Sequence, residues 1–210
     1  VAEVAPRLAD ADAVCVANIY GRTVEEYEAV ARRLSEVPTL AAIELNASCP
    51  NVKEGGIAFG SSPGGLSGLT RRVRAATVKP LWVKLSPNVS DIGEIARAAE
   101  EAGADAVTLI NTLVGMALDP RTRRPKLSNV TGGLSGPAVK PVALRMVWEA
   151  CKAVKIPGIG IGGIQSAEDA LEFLLVGAAA VQVGTANFRN PNACVEVIDG
   201  IRDFLVREKI

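Results

Sequence analysis

Short apolar runs poor in charge recur along the chain at 13–19, 40–45, 81–85, 106–110, 158–161 and 179–183. Runs of that length and continuity suit parallel strands covered on both faces. Between them lie patterns of helical period at 23–36, 66–78, 91–102, 138–153, 166–176 and 193–208, several opened by capping residues such as Thr23, Ser90 and Ser166. Every strand is thus followed by a helix, which predicts a parallel sheet with helices outside it. The segments 101–106 and 176–181 repeat one plan, a helix ending near Gly103 or Gly177 with a strand beginning a few residues on.

The long polar, Gly-rich connections, 46–65, 111–137 and 184–192, all follow strands, while the helix-to-strand links are short. A (β/α)8 TIM barrel places its functional loops on that face. Such a barrel needs eight strands and about 250 residues. With six strands legible and Val at position 1, the expectation is a barrel whose first two βα units are missing from this chain, forming a single domain over 1–210.

Composition narrows the chemistry. Of 210 residues, 49% are hydrophobic and 22% charged, and Lys plus Arg equals Asp plus Glu at 23 each, so a small ligand is a better expectation than nucleic acid or anionic lipid. There is no histidine, which excludes Ser-His-Asp triads, HExxH zinc sites and His-ligated iron from within the chain. The four cysteines, at 15, 49, 151 and 194, form no CxxC pair, so neither a four-Cys zinc site nor a self-contained iron–sulfur cluster is expected. No apolar run reaches the roughly 18–20 residues that span a bilayer, and a cytoplasmic location is expected. The basic run Arg121, Arg123, Arg124 and Lys126 reads as a solvated loop.

Residues 158–163 satisfy GxGxxG literally, but the glycines overlap the strand and no acidic residue follows at the ribose distance, so a dinucleotide fold is not the reading. Gly162-Gly163 and Gly184-Thr185 fit better as a pair beyond the last two strands, where barrels hold a phosphate on backbone amides and a helix N-terminus. Lys84 ends an apolar strand, where burial demands an anionic or polar partner. Asn46, Asn51, Asn111 and Thr112 follow strands and offer paired donors and acceptors suited to a uracil-like ring. With histidine absent, Cys49 is the leading candidate for proton transfer or nucleophilic attack, whereas Cys15, Cys151 and Cys194 fall in strand or helix patterns and read as core.

At these residues the chain resembles the class 1 dihydroorotate dehydrogenases, specifically the type 1B catalytic subunits. The matching segments are ELNASCPNVKEGG at 44–56, WVKLSPNV at 82–89, INTLVGM at 110–116, GGLSGPAVKP at 132–141 and VGTAN at 183–187, and the likeness runs from NIYG at 18–21 to near Ile210. Ala47 and the stretch 61–65 depart modestly from the usual pattern. The resemblance implies oxidation of (S)-dihydroorotate to orotate in de novo pyrimidine biosynthesis, hydride passing from C6 to flavin N5 while Cys49 removes the C5 proton. FMN contacts carry over to Asn18, Asn46, Lys84, Ile110, Gly136, Gly162, Gly163, Gly184 and Thr185, and substrate contacts to Asn46, Asn51, Asn111 and Thr112. Lys84 is implied to stabilise the reduced, anionic flavin. The family's remaining flavin-contacting lysine and a substrate loop are expected in the missing N-terminal part. A partner subunit carrying FAD and a [2Fe-2S] cluster, with NAD as final acceptor, and a homodimer within a heterotetramer are implied as well. Two alternatives stand beside this reading: the FMN domain of a dihydropyrimidine dehydrogenase, and an inactive truncated module.

Overall fold

The computed structural model describes residues 7–8, 13–48 and 57–210. Six parallel strands form one sheet: β1 (Cys15–Ile19), β2 (Leu40–Asn46), β3 (Leu81–Lys84), β4 (Ala106–Leu109), and, further along the chain, β9 (Gly158–Ile161) and β10 (Ala180–Gln182), in spatial order β1-β2-β3-β4-β9-β10. The helices between them are α1 (Val24–Ser35), α2 (Ile57–Gly60), α3 (Pro63–Ala76), α4 (Ile92–Glu101), α5 (Lys140–Ala153), α6 (Ala167–Leu175) and α7 (Ala193–Glu208).

The sheet curls on itself. Gln182 on edge strand β10 donates through Nε2 to Glu44 Oε1 at 3.1 Å, although Glu44 lies on β2, next to the opposite edge. A flat sheet would hold those strands roughly 19 Å apart at about 4.8 Å per strand. The architecture is therefore a partial (β/α) barrel, in agreement with the alternation of elements in the sequence.

Alternate residues of each strand point to opposite faces. Ile43, Leu45, Leu81, Val83, Val107 and Leu109 point outward and join Leu66, Leu69, Val73, Ile95, Ala99, Val147 and Phe173 of the helices in one core. Phe173, fully buried, packs on the strand at Gly160, where a Cβ would stand 2.5 Å from its ring. The GxG run therefore serves close helix-to-sheet packing. Thr23, Ser62, Asp91 and Ser166 each accept a first-turn amide, Asp91 taking the place expected for Ser90, and Pro63 sits in the first turn of α3. That proline and its Ser62 cap start α3 three residues before the periodicity at 66 suggests.

The long connection after β4 is more ordered than a loop. Strands β5 (Leu113–Met116) and β8 (Thr131–Leu134) pair antiparallel, and within them β6 (Leu118–Asp119) pairs with β7 (Arg124–Pro125). Arg121, Arg123, Arg124 and Lys126 at its tip are all exposed, the solvated arrangement their sequence implies. Cys15, Cys151 and Cys194 are half-buried free thiols, and Cys151 packs against the core as its sequence pattern suggests. Burial alone raises the Cys151 thiol pKa, and Cys194 Sγ lies 3.3 Å from Asn187 Oδ1. Among the described residues no helix is long and apolar enough to cross a membrane.

Candidate functional site

A cleft of about 220 Å³ opens at the C-terminal ends of β3, β4, β9 and β10. Lys84, Ile110, Asn111, Thr112, Gly136, Gly162, Gly163, Gly184 and Thr185, nine of the residues singled out from the sequence, line this one space. Asn18 and Asn46 stand beside it, reached through hydrogen bonds. Cys49 and Asn51 lie outside the described residues.

The floor is polar. Glu44, only 4% exposed, accepts from Asn18 Nδ2 on one oxygen and from Gln182 Nε2 on the other, and Lys84 Nζ stands 3.8 Å from Glu44 Oε2. A buried carboxylate is tolerable here because a cation and two amide donors face it. Beside it runs a row of amides: Asn46 Nδ2 donates to Asn18 Oδ1 at 3.3 Å, and Asn111 Nδ2 donates to Asn46 Oδ1 at 3.2 Å and to Ser48 Oγ at 2.9 Å. Tyr27 on α1 donates to the Asn46 carbonyl at 2.8 Å, tying the end of β2 to the outer layer. The row is held from the other side by Asn88, which donates to the Thr112 carbonyl and accepts from Val114 N.

The far wall is built from glycine. Gly162 and Gly163 have φ of +137° and +81°, conformations that favour glycine, and a Cβ at Gly163 would stand 2.8 Å from Lys140 Cβ and 2.9 Å from the Gly136 carbonyl. Gly184 differs: its φ is ordinary and a Cβ would meet only Ile161 Cδ1 at 3.8 Å, so the fold itself leaves room for a side chain there. A Cβ at Gly136 would meet nothing within 4 Å. A side chain at Gly184 would project into the open cleft, whereas Gly136 has a φ of +90° that itself favours glycine. This cradle, with Thr185 Oγ1 donating to Ser135 Oγ at 2.9 Å and Arg189 lining the same end, fits a phosphorylated planar ligand such as a flavin nucleotide.

The N-terminus of α6 is capped: Ser166 and Asp169 form a capping box, and Asp169 Oδ2 accepts the amides of Gln165 and Ser166 at 2.9 and 3.2 Å. Lys140 Nζ braces the turn from behind, 2.6 Å from Asp169 and 3.0 Å from Glu172. Burial pushes the Asp169 carboxyl up, but the hydrogen bonds from Lys140 and the two amides outweigh it and hold the pKa below its usual value. The same two carboxylates raise the Lys140 pKa.

Sequence reasoning missed the roles of Glu44, Gln182, Ser135 and Arg189. A signal existed for Glu44, since it interrupts an apolar strand just as Lys84 does. Gln182 gave the same signal more weakly.

Comparison with known proteins bears on this arrangement. The sequence profile described as dihydroorotate dehydrogenase matches residues 1–205. The catalytic subunit of dihydroorotate dehydrogenase B (NAD(+)) from Trichlorobacter lovleyi is 58% identical over 205 residues, covering 98% of this chain and 67% of that protein. Its counterpart from Bacteroides thetaiotaomicron is 56% identical over 207 residues, covering 99% and 68%. A crystal structure of dihydroorotate dehydrogenase from Eimeria tenella in complex with ferulenol superposes with a TM-score of 0.79 at 24% identity, over 98% of this chain and 64% of that one, which supports the barrel fold. The chain thus spans about two thirds of the length of the relatives it matches. With one family profile running through strands, cleft and glycine wall alike, the chain belongs to the dihydroorotate dehydrogenase family.

Proposed function

We propose that this chain is a single FMN-binding partial-barrel domain of a type 1B dihydroorotate dehydrogenase, oxidising (S)-dihydroorotate to orotate in de novo pyrimidine biosynthesis. The observation that carries the reading is the convergence of Lys84, Asn111–Thr112 and the Gly136, Gly162–Gly163 and Gly184 cradle on one cleft at the strand ends. Bound FMN would supply the hydride acceptor, its N5 taking the hydride that leaves substrate C6. The protein's own part is to hold and orient. Gly162, Gly163, Gly184 and Thr185 would seat the phosphate, with Ile110 and Gly136 lining the way to it. Lys84 would place its positive charge where the flavin becomes anionic on reduction. Asn18 and Asn46 would reach the flavin's polar edge. Asn46, Asn51, Asn111 and Thr112 would pair with the substrate's alternating carbonyl and N–H groups. Cys49 would remove the C5 proton as the hydride leaves, so the two electrons and both hydrogens are accounted for.

The relatives are named catalytic subunits, which supports a partner subunit. We assign to that partner the FAD and [2Fe-2S] groups that would pass electrons to NAD, within a heterotetramer built on a homodimer of this subunit in the cytoplasm. The described residues contain no group of three or more His, Cys, Asp or Glu placed to hold a metal ion. The test is Cys49→Ala in the holoenzyme. Flavin content should be retained while turnover near neutral pH is largely lost, and unchanged turnover would reject Cys49 as the base.

A further inference from the structure

The buried carboxylate of Glu44 is a charge that the proposed reaction does not use, and its surroundings are specific. Its side chain is 6% exposed and that of Lys84 14%. It gathers groups from three other strands: Asn18 from β1, Lys84 from β3 and Gln182 from β10. We propose that Glu44 is a positioning residue that holds the Lys84 ammonium against the floor of the cleft, facing the flavin that the cleft would hold; this rests on the flavin reading above.

Lysine carries four rotatable bonds and a strongly hydrated head, and at the rim of an open cleft it snorkels toward water. Lys84 stands at the C-terminal end of β3, where such an escape is open to it. A fixed anion 3.8 Å away, itself immobilised by two amide donors, opposes that escape. Fixing a charge before the reaction is what makes it effective toward a developing anion, since no reorganisation is then needed. Asn18 links the same carboxylate to the amide row through Asn46, so one group sets the register of both the charged and the neutral parts of the site.

Glu44→Gln separates these roles. The glutamine oxygen still accepts from Asn18, and the Gln182 amide can turn to accept from the new N–H, but the anion facing Lys84 is gone. Two readouts apply to the holoenzyme and its flavin-depleted form. With Lys84 present, Glu44→Gln should raise the FMN dissociation constant about tenfold, and with Lys84→Met it should change it less than about twofold, because residues in contact couple. The midpoint potential of the bound flavin should fall in Glu44→Gln, in the same direction as in Lys84→Met. A rise would mean that Glu44 merely offsets the lysine charge, which overturns the proposal, as would equal changes in both backgrounds or none in either. Leu45→Ala, on the opposite face of β2, should lower stability without moving the potential. If Lys84→Met does not fold because Glu44 is orphaned, Lys84→Gln supplies an amide donor and completes the cycle. Absence of FMN uptake by the unsubstituted protein would overturn the flavin reading itself, whereas uptake without coupling overturns only the role of Glu44.

Discussion

The two faces of the same strands obey opposite rules. On the outer face, Ile43, Leu45, Val83 and Leu109 are fully buried against helices, and these side chains carry no hydrogen-bonding group. On the inner face, one residue along, stand Glu44, Asn46 and Lys84, linked by side-chain hydrogen bonds and an ion pair. The first face is where burial stabilises the fold, at about 25 cal/mol per Å² of apolar surface. The second gains little net stability from its polar contacts, since desolvation offsets them. Its residues are instead fixed in place, as a site that recognises a polar ligand requires. Period-two alternation lets one strand do both: Val83 packs on helices while Lys84 faces the cleft.

Substitutions on the two faces should therefore separate stability from ligand binding. The largest expected effect is Phe173→Ala, which removes a fully buried ring packed on Gly160 and should cost about 3–5 kcal/mol in denaturant unfolding. Next is Gly163→Ala on the cleft wall. Its φ of +81° and the 2.8–2.9 Å approach to Lys140 and the Gly136 carbonyl predict a loss of about 2–4 kcal/mol together with weakened flavin retention, measured by the flavin-to-protein absorbance ratio.

A smaller effect is set by pH. Because the folded-state pKa of Asp169 is depressed, its contribution is present above the unfolded value of 3.8 and is lost as pH falls through the folded value. Asp169→Asn should flatten that acid limb of the stability curve. Lys140 acts in reverse: its raised pKa makes its contribution full below 10.5 and lost as pH rises past the folded value. The smallest effect belongs to Thr108, register partner of Lys84, whose buried hydroxyl lacks a hydrogen-bond partner. Thr108→Val keeps the shape and should leave stability within about 1 kcal/mol of the parent, on the favourable side.

How much of this was legible in the sequence follows from range. The six strands and the long helices rest on local periodicity and caps, and their ends moved by only a few residues; Gly162-Gly163 and Lys84 were visible because each breaks a local rule. The hairpin over 113–134 was read as loop because its pairing joins Leu113 to Leu134, and Thr131–Leu134 carries two glycines instead of an alternating pattern. Glu44 was quoted within a motif but given no role, since its importance lies in meeting Gln182, 138 positions away, and only a curled sheet brings the two together.

The proposed function requires that the cleft hold a flavin that dihydroorotate reduces. The most direct test is the anaerobic visible absorption spectrum of the purified holoenzyme before and after addition of dihydroorotate. Flavin bands that bleach on addition are the predicted result; a protein without flavin bands, or with bands that dihydroorotate leaves unchanged, would contradict it.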